Sequence, residues 1–504
     1  MTPHTRHFSR SQNLPHKAAT PAVFPNDWRG DALSDWVARQ YRTVSLPDAR
    51  LEKRLLTVAQ TLAAKPHDSI NQACDNWAGA KGAYRFVENE AVTPAALIQP
   101  LTDAAAREAA AHGVVIAVQD TTVLSFPRAR QAKGLGPVND LPEARGMLVH
   151  PALALRLDGA PLGLLDLQYW CRDVVARDPS APDDAAAPAR KASRPIEQKE
   201  SAKWLRGIAA ARQAIADNID EARRPRLIHV LDREGDIHEV FDLVTASGDG
   251  AVIRCGQDRR VVTANGRQTL AHTAIAAAPV LGRAVIDVPR KQGQARRQAT
   301  VEIRACQLTL IPPLKHCAGA RRRRSVPLNL VQVAEVNTPH GLKEPLHWLL
   351  WTTETAPTMA AALELVRRYK LRWKIEEFNL VLKSGCRIED LQFETAERLA
   401  KVVALYAPVA VRILQLRAWS RLEPEAPCTI VLTEEQWRAL WTYIHRRRPS
   451  RQTAPPTIQQ ATLWIGRLGG HLGRKSDGMP GVRTLWRGWR DLDLLVTMFI
   501  LGDP

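Results

Sequence analysis

Residues 114–122, VVIAVQDTT, and residues 226–236, RLIHVLDREGD, follow one pattern: an unbroken apolar run that ends in an aspartate, Asp120 or Asp232. Short apolar runs rich in Val and Ile read as strands buried on both faces, as in parallel sheets covered by helices. Open α/β sheets carry their ligand-binding side chains just beyond the carboxyl ends of such strands. One aspartate in that position reads most simply as a strand end or a helix cap. Two of them, neither followed by a Gly-rich phosphate loop, point toward metal binding.

The segments around these strands complete a sheet. Leu148 to Leu157 and Leu162 to Tyr169 read as strands joined by the turn Asp158-Gly159. A stretch near 176–195, rich in Pro, Asp and Ala, reads as a loop. It leads into ESAKWLRGIAAARQAIADNI (200–219), a helix with Trp204, Leu205 and Ile208 facing inward. A further strand, Ala251 to Ile253, precedes Arg254. Strand, hairpin, crossover helix, strand, helix, strand is the order of a ribonuclease-H-like α/β sheet.

Outside that core the period changes. Between about 256 and 345 alternating stretches such as ATVEIRACQLTL (299–310) and VPLNLVQVAEV (326–336) replace helical spacing and predict an inserted β-rich subdomain, with Arg321 to Arg324 on a loop. Helical character resumes at about Ala360 and runs to about Leu416, where Pro424 and Pro427 follow. The remainder, with Leu485, Trp489, Leu492 and Val496 at helical spacing, reads as a separate helical domain. Arg446 to Arg448 are read as solvated loop charges. Toward the N-terminus, DARLEKRLLTVAQTLAAK (48–65) puts Leu51, Leu55, Val58, Ala59 and Leu62 on one stripe, with Arg50, Lys53 and Arg54 off it. Ser69 with Gln72 forms a capping-box pattern, and GAKGAYRF (79–86) and Thr93-Pro94 mark further helices. The predicted organisation is a disordered leader (1–26), an N-terminal helical domain (27–91), an α/β domain (92–422) holding the β-rich insertion, and a C-terminal helical domain (423–504).

Charge narrows the partner. In 504 residues, 70 Lys and Arg stand against 52 Asp and Glu, a formal excess of +18 that favours a polyanion. No run of about 18 apolar residues suggests a membrane span, so nucleic acid is the expected partner. The seven cysteines are scattered with no C-x-x-C, which argues against a zinc ribbon or a disulfide framework. The N-terminal stretch lacks an apolar signal core, so the chain is expected to be cytoplasmic.

A third acidic element lies in YKLRWKIEEFNLVLK (369–383). At about 100° per residue, Tyr369, Arg372, Glu376 and Lys383 share one helix face, while Glu377 points elsewhere. Taken alone, Arg372 and Glu376 are an ordinary i, i+4 ion pair. Taken with D-T-T after one strand and D-R-E-x-D after another, the Y-x-x-R-x-x-x-E-x-x-x-x-x-x-K helix resembles the signature blocks of bacterial DDE transposases of the insertion-sequence-four group. GAYRF (82–86), PLHWLLWTTE (345–354) and WIGRLGGHLGRKSDGMPGVRTLWRGW (464–489) resemble the same group, so the likeness spans nearly the whole chain.

The resemblance implies an enzyme that cuts and rejoins DNA, with residues 27–91 as its DNA-end-binding domain, 92–422 as its catalytic domain and 423–504 as its dimerisation domain. Asp120, Asp232 and Glu376 would be the catalytic carboxylates and would hold two Mg²⁺ ions, with Mn²⁺ able to substitute. The substrate would be double-stranded DNA, both terminal inverted repeats and target, the working form a nucleoid-associated homodimer, and excision would pass through a DNA hairpin. Trp348 matches the tryptophan that stacks on a flipped base, and Arg254, Tyr369, Arg372 and Lys383 match residues that grip nearby phosphates. One departure is Leu380, where the group has a basic residue; Asn379 and Lys374 are the neighbours that could compensate. Two other readings remain at this point: a ribonuclease-H-like nuclease without strand transfer, and a catalytically silent DNA-binding regulator of transposition.

Overall fold

The computed structural model describes residues 33–502 except 75, 140, 174–193, 289–296, 314–323, 339–341, 343 and 475–476. The leader at 1–26, most of the loop at 176–195 and Arg321 to Arg323 lie outside the described residues.

The two aspartate-terminated runs are neighbouring strands. β1 (Val114–Gln119) runs parallel to β6 (Arg226–Leu231), with Val118 opposite Val230, and β7 (Gly250–Arg254) continues parallel beyond β6. On the other side of β1, β4 (Leu141–Leu155) pairs antiparallel, and β5 (Pro161–Trp170) pairs antiparallel with β4. Side chains alternate between the faces of a strand, and here both faces are covered. Val115 and Leu227 meet Ala106 and Ala109 of α5 (Pro94–Ala109) and Ala211 and Ile215 of α6 (Ala202–Asn218). On the opposite face Ile116, Val118, Ile228 and Val230 join the core that includes α9 (Met359–Lys370), α10 (Trp373–Leu380) and α11 (Ala396–Leu422). Two-sided burial is why these strands read as continuous apolar runs.

The β-rich stretch is not set apart from this sheet. β13 (His347–Thr352) pairs with β7, then β12 (Val326–Glu335) and β11 (Arg297–Leu310) follow, so the thirteen strands among the described residues belong to one sheet. A helix, α8 (Ala271–Ala277), also lies within it, only seven residues long and too short to leave a periodic signal. Two strands absent from the sequence reading, β2 (Thr122–Ser125) and β3 (Gly136–Val138), are equally short.

The helical stretch expected from Ala360 onward is broken. α9 ends at Lys370, the turn at Leu371 and Arg372 is tightened by i to i+3 bonds (Arg372 N to Tyr369 O, 3.0 Å), and α10 follows. Val381–Gly385 is a π-helical turn, closed by Cys386 N donating to Val381 O at 2.8 Å. α11 is long and apolar enough to cross a bilayer, contrary to the sequence reading, but its apolar window is entirely buried inside the protein. It is the core helix on which both ends of the chain pack.

At the N-terminal end lie α1 (Leu33–Gln40), α2 (Ala49–Ala64), α3 (Ile70–Ala73) and α4 (Trp77–Glu88). Asp48 caps α2, the Ser69 and Gln72 capping box opens α3, and Thr93 caps α5. Lys401 of α11 donates to the carbonyls of Val87 and Asn89 (3.1 and 3.0 Å), placing a cation at the negative end of α4. At the other end, α12 (Glu434–His445), α13 (Ile458–Leu468) and α14 (Val482–Leu501) enclose Leu416, Trp437, Leu440, Ile465, Leu485, Trp489 and Leu492. A side chain at Gly488 would stand 1.7 Å from Ile465 O, so only glycine lets α14 approach α13 this closely. Arg448 is not a free loop charge, since it donates to Gly502 O at 2.6 Å, past the end of α14.

Candidate active site

The strand alternation decides where each functional side chain points. Asp120 and Asp232 continue the series Ile116, Val118 and Ile228, Val230, so both face the α9 to α11 layer, side by side at the ends of adjacent parallel strands. Each carboxylate is fixed by a backbone amide just downstream: Thr121 N donates to Asp120 Oδ1 and Glu234 N to Asp232 Oδ1, both at 2.8 Å. The Glu234 side chain is itself held by the buried Lys203 Nζ of α6 at 3.1 Å.

Glu376 reaches the same place from α10. Arg372 bonds Glu376 Oε1, and its other amino group lies 3.9 Å from Asp120 Oδ2, so one guanidinium spans two of the three carboxylates. The electrostatics record this crowding. Burial pushes Asp120 up to about 6, the Asp232 and Glu376 charges add to it, and the Thr121 amide and Arg372 oppose it. Asp232 is also raised, by burial first and then by Glu234, against the Glu234 amide and Arg372. A cation would relieve exactly this repulsion, and three carboxylates are the hard oxygen donors that Mg²⁺ or Mn²⁺ takes. Among the described residues, however, no three carboxylate, imidazole or thiol groups converge into a ready-formed cage. Arg372 supplies the compensating charge in this arrangement.

Beside the carboxylates, Tyr369 is buried next to the Arg372 and Arg254 charges, and burial raises its phenol above the usual value against their opposing pull. Trp348, half-buried on β13, meets Tyr369 edge to face with ring centroids 5.5 Å apart. Arg254 ends β7 directly opposite Leu350 of β13, and its Nε has no partner. Six of the eight site residues thus join through contacts centred on Arg372 and Tyr369, and Asp232 stands beside them on the neighbouring strand. Lys383 does not share their regular face. It sits in the π-helical turn, where i to i+5 bonding replaces the 100° advance assumed from sequence.

Glu377 belongs elsewhere. It pairs with Lys374 Nζ (3.0 Å) and with Arg417 of α11. Burial pushes its carboxyl up, but the two cations outweigh burial and leave it below the usual glutamate value. Lys374 is therefore committed to Glu377, and Asn379 is buried, so neither offers a free group in place of the basic residue missing at Leu380.

Several residues at the site were not singled out from sequence. Asp236, the last position of D-R-E-x-D, is fully buried and accepts from Gly256 N, Gln257 N and Arg259 Nε at 2.7, 3.0 and 2.6 Å, fixing the loop that follows Arg254. Trp373, next to Arg372, is 57% exposed, an unusual position for an indole and a signal that only structure supplies. Thr121 and His150 form a third case, a hydroxyl and a ring nitrogen 2.9 Å apart that lie 29 positions apart in the chain.

The two ends of the chain match known families. Residues 33–92 match the family described as Transposase DNA-binding, and residues 408–500 match the Transposase Tn5 dimerisation domain. With Asp120 and Asp232 on the sheet between them and Glu376 on α10, these matches support a Tn5-like transposase that binds DNA and forms a homodimer.

Proposed function

We propose that this chain is a DDE transposase of the insertion-sequence-four group, excising its element by cutting DNA at the terminal inverted repeats and joining the freed ends to target DNA. The observation that carries the reading is the placement of Asp120 and Asp232 at the ends of adjacent parallel strands, on the sheet face from which Glu376 is linked to Asp120 through Arg372. The strand order β5-β4-β1-β6-β7, with the first two antiparallel and the last two parallel to their neighbours, supports a ribonuclease-H-like core.

Asp120, Asp232 and Glu376 would hold two Mg²⁺ ions, for which Mn²⁺ would substitute, and such a pair would supply activation of an attacking oxygen and stabilisation of a leaving oxygen in phosphodiester transfer. The protein's own groups do the rest. Thr121 and Glu234 amides keep two carboxylates aimed at the shared face. Arg372, Arg254, Tyr369 and Lys383 would offer hydrogen-bond donors and positive charge to a DNA phosphate beside the carboxylates. Trp348 offers its ring to an unstacked base, the distortion that a tight DNA hairpin requires.

The test uses purified protein, Mg²⁺ and labelled DNA carrying the repeats that bound its gene. Nicked, hairpin and joined products are expected, all lost in excess chelator. Cleavage without joining of precut ends would identify a nuclease instead, and robust cutting in chelator would remove the metal from the mechanism.

A further inference from the structure

Asp120 is flanked by two side chains that meet on a single imidazole. Gln119 and Thr121 lie on either side of it, so strand alternation turns both to the face opposite Asp120, toward β4 and α6. There His150 of β4, fully buried, bonds both: its Nδ1 lies 2.9 Å from Thr121 Oγ1 and its Nε2 lies 3.1 Å from Gln119 Oε1. With an amide oxygen before Nε2, the ring carries its proton there and leaves Nδ1 to accept from the Thr121 hydroxyl. Burial and the nearby Lys203 and Arg206 charges keep the imidazole neutral, as that arrangement needs.

The ring's own position is determined by its surroundings. Trp204 of α6, with no exposed surface, packs edge-on against it at 4.7 Å between centroids and 89° between planes. Gly207, one helical turn on, leaves room for the Gln119 amide; a Cβ there would stand 2.4 Å from Gln119 Oε1. Such a buried, polar and mutually bonded group costs desolvation, which a merely space-filling position would avoid.

We infer that His150 is a positioning residue for the carboxylate site: by bonding the residues on both sides of Asp120, it fixes the Thr121 amide that orients the Asp120 carboxylate. The inference rests on the metal-dependent reading above and adds to it a residue 30 positions from the aspartate, on another strand.

Direct cation binding tests it without any DNA chemistry. Free Mn²⁺ is followed by its paramagnetic resonance signal as protein is titrated, for wild type, Asp120→Asn, His150→Gln, His150→Asn, Thr121→Val and Thr121→Ser, each checked by circular dichroism and melting. Asparagine can place its oxygen near the position of Nδ1 and still accept from Thr121, whereas glutamine reaches toward the Nε2 position and cannot. His150→Gln and Thr121→Val are expected to weaken Mn²⁺ binding about 10- to 100-fold, the usual effect of losing a group that orients a ligand. His150→Asn and Thr121→Ser should stay near wild type, and the double variant His150→Gln with Thr121→Val should be no worse than either single change. Equal damage from asparagine and glutamine would make His150 a core residue only. Wild-type Mn²⁺ binding in both His150→Gln and Thr121→Val, alongside loss in Asp120→Asn, would overturn the relay and leave the metal site standing. Wild-type binding in Asp120→Asn would overturn both.

Discussion

Glu376 and Glu377 are adjacent, chemically identical and placed in opposite circumstances, so changing each to glutamine separates chemistry from stability. The Glu377 carboxylate is 14% exposed, between Lys374 and Arg417 at 21% and 15%. Neutralising it strands two mostly buried cations. Breaking a buried ion pair costs about 3–5 kcal/mol, and the residual exposure of these partners lowers that to about 2–3 kcal/mol. In a protein of 504 residues that lowers the melting temperature by about 2–3 °C. Glu376 is 33% exposed and its partner Arg372 keeps Asp120 nearby, so its neutralisation changes stability by about 1 kcal/mol or less. The expected outcome is a double dissociation. Glu376→Gln melts like wild type and binds end DNA but forms no nick, hairpin or joined product; Glu377→Gln melts early yet, assayed well below its melting point, still cuts and joins. Differential scanning fluorimetry, gel shift and labelled-end assays in Mg²⁺ read the three properties. Cleavage by Glu376→Gln, or an inactive Glu377→Gln with an unchanged melting temperature, would refute the reasoning.

Three further outcomes follow from the geometry. In chelator the folded Asp120 carboxyl releases its proton at about 6, against 3.8 in the unfolded chain, so it favours folding below about pH 4 and that contribution is lost as pH rises to 6. Asp120→Asn should therefore melt above wild type at pH 7.5, by up to about 3 kcal/mol in stability, with the gap closing as pH falls to 4; a gap independent of pH would show that the carboxylates do not repel. Trp348→Ala removes a stacking platform worth about 1–3 kcal/mol per base, so hairpin formation should slow about 5- to 150-fold more than first-strand nicking; equal losses would assign Trp348 to packing against Tyr369 alone. Leu494 and Met498, 64% and 63% exposed on one face of α14, should lie in the dimer contact. Leu494→Asp with Met498→Asp should leave melting unchanged and abolish the dimer in analytical ultracentrifugation, and a persistent dimer would place the interface elsewhere.

What the sequence made legible was local. Asp120 and Asp232 follow runs whose double-sided burial is written in their composition, and Asp48, Ser69 and Thr93 are caps whose partners lie two or three residues away. What it concealed depends on contacts between distant segments. The π-helical turn that displaces Lys383, and the tightened turn at Leu371 and Arg372, alter a helix whose residues all have ordinary helical character. The commitment of Lys374 to Glu377 needs Arg417, 40 positions on, and the environment of Asp120 needs His150. The length of α11 was hidden by charges that interrupt its apolar run, among them Lys401 and Arg412, each of which finds backbone carbonyl acceptors inside the protein.

The continuity of the sheet has a metrical consequence. Asp232 follows β6, Arg254 ends β7 and Trp348 lies on β13, three strands joined edge to edge by backbone hydrogen bonds. Paired strands stand about 4.8 Å apart, so the indole is held two strand widths, about 10 Å, from Asp232, and one strand further from Asp120 after β1, by a continuous hydrogen-bonded sheet. A base captured by Trp348 then sets which phosphate lies over the carboxylates by counting strands, with no loop between them to stretch. Such a ruler cannot be shifted by half a step: a one-residue slip of β13 against β7 would turn Trp348 to the opposite face of the sheet. On the proposed reading, backbone pairing would specify where DNA is cut, and side-chain changes around the site would alter how fast it is cut far more readily than where.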